Sequence, residues 1–140
     1  MEPILTFLKL QFTRSKTLPL FAVSLILLLI GLVMGVSDNL AGAVLTYLGM
    51  IVLVYSLVHQ WQEPARYGNL LAISAISVPV LLLVYNIMET LITNLGPIPV
   101  LSQLFGGVSI VAFVGGLFLA PAAGIVAIMG GLFYLVRSKM

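Results

Sequence analysis

The sequence predicts an all-α, polytopic membrane protein: a bundle of four transmembrane helices preceded by a short interfacial amphipathic helix. Three observations carry that expectation. Of 140 residues, 61% are hydrophobic and only 7% are charged, whereas a soluble domain carries about a quarter charged residues. The mean hydropathy is +1.23, and water cannot be the solvent for so much apolar surface without a large free-energy cost. The few charges sit between long uncharged stretches, and on a four-span reading all 6 Lys and Arg fall on one side.

Composition also sets limits. No polar segment is long enough for a separate soluble domain, so residues 1–140 read as one integral membrane domain. Without cysteine, disulfides, thiolate metal sites and thiol nucleophiles are excluded. The net charge is +2, and no basic stripe marks a nucleic-acid surface.

The first sixteen residues form their own unit. Ile4, Leu5, Phe7, Leu8, Leu10 and Phe12 are apolar, while Thr6, Lys9 and Thr13 cluster on one side of a helical wheel. Pro3 suits a first helical turn. Residues 3–14 are expected to lie on the inner leaflet as a helix, with Lys9, Arg14 and Lys16 near anionic headgroups. Alternation over residues 8–13 keeps an extended segment open.

No charge separates Lys16 from Asp38, Asp38 from Glu63, Arg66 from Glu89, or Glu89 from Arg137. About 20 apolar residues cross ~30 Å of hydrocarbon. Spans are therefore expected at Leu18–Val36, Leu40–His59, Leu70–Leu91 and Val108–Val136. They should be helices, because lipid offers no partner for an unpaired backbone group. Leu18–Val36 is too long for the apolar core of a secretion signal. Gly96-Pro97-Ile98-Pro99 reads as the turn before the fourth span.

That span is longer than a bilayer needs, and a tilt or a kink at Pro121 would absorb the excess. A rival reading breaks the chain at Pro121 into two crossings. Ala122–Val136 would then reach only ~22 Å, and Arg137 and Lys139 would be stranded outside. With four spans both termini are cytoplasmic, in a multi-pass protein of the cell membrane.

Several features could carry chemistry. Ala112, Gly116, Ala120 and Gly124 recur every four residues, and Ala123, Ala127 and Gly131 do so on a neighbouring face. Such stripes let helix backbones approach closely. They serve either packing within the bundle or contact with a partner subunit or a second copy.

Asn86, Glu89, Thr90 and Thr93 share one face of the third span. An ionisable residue in a membrane is by default a site for proton or cation handling. Counted from Leu70, however, Glu89 lies ~29 Å along, at the outer headgroup boundary. There an interfacial carboxylate is more often structural.

Pro79, with Ser74 and Ser77 just before it, predicts a kink in the third span. His59 and Glu63 stand four apart at the inner edge of the second span. Two ligands make no metal site, so a structural pair is the plainer reading. Trp61, Tyr67 and Tyr134 read as an aromatic belt. No nucleophile–base set, phosphate loop or metal cluster is evident, and no cofactor is expected.

The expected function is that of a non-catalytic accessory subunit of a larger membrane complex, of respiratory or transport type, packing through the small faces of the fourth span. A small oligomeric channel or permease component is the alternative. The apolar opening with Arg14-Ser15-Lys16 ahead of span one resembles the start of ABC-2 type permeases, which implies a transport component. Those permeases have more spans than this chain, and the likeness stops at the first span. A membrane enzyme using Glu89 or His59 ranks last. The expected partners are lipid and either other membrane subunits or further copies of the chain.

Overall fold

The computed structural model describes residues 16–36, 39–95 and 99–140. The interfacial helix expected over residues 3–14 lies outside the described residues. All described elements are helical: α1 (Thr17–Met34), α2 (Leu40–Val58), α3 (Pro64–Leu95), α4 (Pro99–Val114), a π-helical turn (Gly115–Leu119) and α5 (Ala120–Arg137). Four helices are long and apolar enough to cross a membrane, because α4, the π turn and α5 run on as one helix from Val100 to Arg137.

The first two spans match the uncharged stretches closely, but the last two are longer than expected. α3 begins at Pro64 and ends at Leu95, rather than at Leu70 and Leu91. The fourth helix starts near Pro99, not Val108. Proline suits a first helical turn, where its missing N–H has no helical partner in any case. Hydropathy marks the part of a helix that lipid can cover, whereas backbone hydrogen bonding carries the helix beyond it.

Pro121 leaves the fourth helix unbroken, so five crossings do not form. Its ring excludes a normal turn at the Leu117 carbonyl and supplies no donor to it. The chain responds one turn earlier. Ala120 N–H reaches back to the Gly115 carbonyl, widening Gly115–Leu119 into a π turn. Pro79 likewise lies inside a continuous α3.

The helices stand in an open row. α1 packs chiefly on α2, α2 packs on the fourth helix, and the fourth helix packs on α3. One end of the row is tied together. Gln60, after α2, donates to the Thr17 hydroxyl at 3.2 Å. The Tyr67 and Tyr134 rings stack with centroids 5.8 Å apart. The start of α1, the α2–α3 connection and the end of α5 therefore share that end. At ~1.5 Å per residue, α3 and the fourth helix reach farther than the α1–α2 hairpin, so their opposite ends project past it.

Glycine sets the α1–α2 contact. A Cβ on Gly31 would overlap the Thr46 hydroxyl and lie 2.8 Å from the Thr46 backbone nitrogen. A Cβ on Gly42 would overlap the Gly35 carbonyl, and one on Gly49 would meet Leu28 Cγ at 2.8 Å. Thr46 Oγ1 is buried without a hydrogen-bond partner among the described residues. It occupies the space where a Gly31 Cβ would stand. Gly35, at φ +86°, ends α1, and the Asn39 side chain caps α2 through Ala41 N–H at 3.0 Å.

Replacing Gly42 with Val should force α1 and α2 apart and cost about 1–3 kcal/mol. Gly106 and Gly107 have open space where a Cβ would stand, so alanine there should be neutral or stabilise by up to about 1 kcal/mol. Thermal unfolding in detergent checks both. An unchanged midpoint for Gly42→Val would refute close backbone approach as the basis of the hairpin.

Candidate functional site

The small-residue stripes of the fourth helix face the chain's own helices. Ala112, Gly116, Ala120 and Gly124 are buried. A Cβ on Gly116 would come within 3.1 Å of Leu81 Cβ on α3, and one on Gly124 within 2.9 Å of Ser74 Oγ. On the neighbouring face Ala127 is buried, while Ala123 and Gly131 are half-buried. Ala123 packs beside the core formed by Val54, Val58, Tyr67 and Val126.

Ser74, buried on α3, donates its hydroxyl to the Ala120 carbonyl. This serine, one of the two just before Pro79, thus joins two helices. It docks at the residue where the π turn gives way to α5.

The polar stripe does not converge on a common point. Asn86 donates to the Leu82 carbonyl, Thr90 to Asn86 and Thr93 to Glu89, each at 2.8 Å. These are bonds from each side chain to its own helix, one turn back. Glu89 differs. Its Oε1 accepts from Ser109 Oγ at 2.5 Å, which joins α3 to α4. Ser109 is only 2% exposed, while Glu89 itself is exposed. Counted from Pro64, Glu89 lies ~37 Å along α3, in the part that projects past the α1–α2 hairpin. The pair acts as a clasp on the α3–α4 hairpin.

His59 and Glu63 are not brought together. α2 ends at Val58, so the helical spacing assumed for them does not apply. Glu63 pairs with Arg66 at 2.9 Å on the exposed surface. His59 Nδ1 lies 2.9 Å from the Ser56 carbonyl. A carbonyl can only accept, so Nδ1 is the donor in this contact. Among the described residues, no group of three or more His, Asp or Glu could hold a metal ion.

The built feature that sequence reasoning undervalued surrounds Tyr67. Read as a belt residue, it is only 3% exposed. Its hydroxyl lies 3.1 Å from the Val58 carbonyl and 3.2 Å from that of Trp61, closing the α2–α3 connection. Its ring meets Trp61 edge-on at 5.7 Å and stacks on Tyr134. Gly130 makes this possible, since a Cβ there would overlap the Tyr67 ring. Beside this cluster, α2 and α5 enclose a cavity of about 350 Å³ that reaches from Ile51 and Val126 to His59 and Tyr134. The sequence signal was a glycine, Gly130, outside both alanine–glycine stripes.

No family model matches the chain, and neither does any curated protein or solved structure.

Tyr67→Phe removes the hydroxyl that closes the connection and should cost about 1–2 kcal/mol. Gly130→Ala should cost more, about 1–3 kcal/mol, because the ring must move. Unfolding midpoints in detergent measure both, and a Tyr67→Phe protein as stable as the parent would disprove the closing role of the hydroxyl.

Proposed function

We propose that this chain is a multi-pass integral membrane protein and a non-catalytic accessory subunit of a larger membrane complex, of respiratory or transport type. The observation that supports this reading most is the outer side of α1. Only 17% of that span is buried within the chain, against 50% of the fourth, and α3 at the other end of the row is covered less still, at 6%. Ile26, Leu29, Ile30 and Val33 form a continuous outward stripe, with Val33 88% exposed.

The small faces of the fourth helix are occupied by the chain's own residues. The partner-facing surfaces are therefore the two ends of the row, α1 and α3, each held by its own chain from one side only, and the α1 stripe is the one assigned to the partner. Helix association in lipid rests on shape rather than on the hydrophobic effect. A stiff, branched stripe of this kind offers a defined shape at little entropic cost.

Orientation follows from charge. Lys16, Arg66, Arg137 and Lys139 flank the tied end of the helix row, beside Thr17, Tyr67 and Tyr134. That end is the cytoplasmic one by the positive-inside rule. Tags at the amino and carboxyl ends should both report the cytoplasm, and a split result would end this topology.

Gentle solubilisation followed by native mass spectrometry tests the function. The chain should travel with larger, different subunits. Ile26→Trp together with Ile30→Trp should release them by about tenfold, equivalent to ~1.4 kcal/mol, while helicity stays unchanged. Multiples of 15.0 kDa would replace the accessory reading with a homo-oligomeric channel or permease component. A free monomer from native membranes would overturn both.

A further inference from the structure

We infer that the inner end of the groove between α2 and α5 binds one anionic phospholipid, with an acyl chain in the cavity and the phosphate at Arg137. The inference rests on the membrane orientation proposed above, but not on the accessory-subunit reading.

The cavity between these helices is built as a channel along their axes. Ile51 and Tyr55 line it from α2, and His59, the residue that caps α2, follows four residues on. Val126, Gly130 and Tyr134 line it from α5 with the same spacing. Eight residues of helix span ~12 Å, so the groove runs parallel to lipid chains rather than across them. Its volume, about 350 Å³, falls within the range of small-ligand sites. The walls are apolar and aromatic at depth. Polarity appears only at the end where the cations lie.

There Tyr134 is shared with a second, polar cavity of about 330 Å³ lined by Gln62, Pro64, Arg137 and Ser138. Arg137 also borders a third cavity next to Phe133. A tail slot, a tyrosine hydroxyl at its mouth and a guanidinium beyond it follow the order of groups in a phospholipid. No acidic residue lines any of the three cavities. The nearby Glu63 is engaged by Arg66, the one ion pair among the described residues.

Arg137 thus keeps its fork of donors for phosphate oxygens. Tyr134 and the Gln62 amide add neutral donors. A zwitterionic lipid would bring its own cation next to Arg137 and gain less.

The test titrates the full chain in mild detergent with phosphatidylglycerol and with phosphatidylcholine of identical chains, read by native mass spectrometry. Phosphatidylglycerol should bind at least about fivefold tighter, as expected for one cation near an anionic headgroup. Arg137→Gln should remove that preference and Arg137→Lys should keep most of it. Met129→Trp should weaken both lipids, because Met129 lines the slot yet is 67% exposed, so the larger ring fills the groove without entering the core. Circular dichroism confirms that each variant folds. Equal binding of the two lipids, or an Arg137→Gln protein with the parent's preference, overturns the inference. So does displacement of the lipid by millimolar inorganic phosphate, which would make the site a free-anion site. None of these outcomes depends on whether partner subunits are found.

Discussion

Close approach of helix backbones is the constraint on which the rest of this structure depends. Where lipid surrounds a helix, burying a leucine against another helix gains little, since the tails are equally apolar. What remains is dispersion at short range and polar contact between backbones. The chain meets that condition at three seams. Gly31, Gly42 and Gly49 bring α1 against α2. Gly116 and Gly124 bring the fourth helix against α3. Gly130 admits the Tyr67 ring between the start of α3 and α5. A Cβ at any of these would meet an atom at or below 3.1 Å, and at Gly31 and Gly42 backbone is among what it would meet, which cannot rotate aside.

Proline is accommodated by the same economy of polar groups. A transmembrane helix that loses one backbone bond must satisfy the freed carbonyl from within. Around Pro121 two other carbonyls are paired, Gly115's by the π hydrogen bond from Ala120 N–H and Ala120's by the Ser74 hydroxyl. The irregular turn therefore also fixes where α3 crosses the fourth helix. Gly115 and Gly116 lie within it, and Leu81 approaches both of them. The polar contact and the close contact occur on one face, which ties crossing point and register to a single proline.

What could be read from the sequence follows from which signals are local. Uncharged runs revealed four helices, because solvent preference is a property of a segment on its own. The basic residues pointed to one end for the start of the first helix and the close of the last, and the Thr17–Gln60 and Tyr67–Tyr134 contacts join those helix ends. Helix limits beyond the hydrocarbon were not legible, since Pro64–Asn69 and Pro99–Gly107 are helical without being continuously apolar.

The alanine–glycine stripes were visible, but their direction was not. Periodicity names a face and leaves its neighbour open. The equivalent contact of Gly31 with Thr46 went unread, although Gly31 and Gly35 on one helix and Gly42 and Thr46 on the other each stand four residues apart. The pairing of His59 with Glu63 assumed a helix that had already ended at Val58.

The two ends of the row differ in a way that no single helix displays. At one end the α3–α4 hairpin is clasped by Glu89 and Ser109, and its threonines and asparagines are satisfied on their own backbone. At the other, tyrosines from three helices, His59 and Arg137 surround space that the protein does not fill. Polar groups that close on themselves add rigidity and offer nothing to a ligand. Polar groups ranged around an apolar cavity retain donors and acceptors that something else must meet. On the lipid-binding inference, recognition belongs at the tied, cationic end. There the Tyr67 hydroxyl is already engaged by two carbonyls, whereas Tyr134 and Arg137 form the rim.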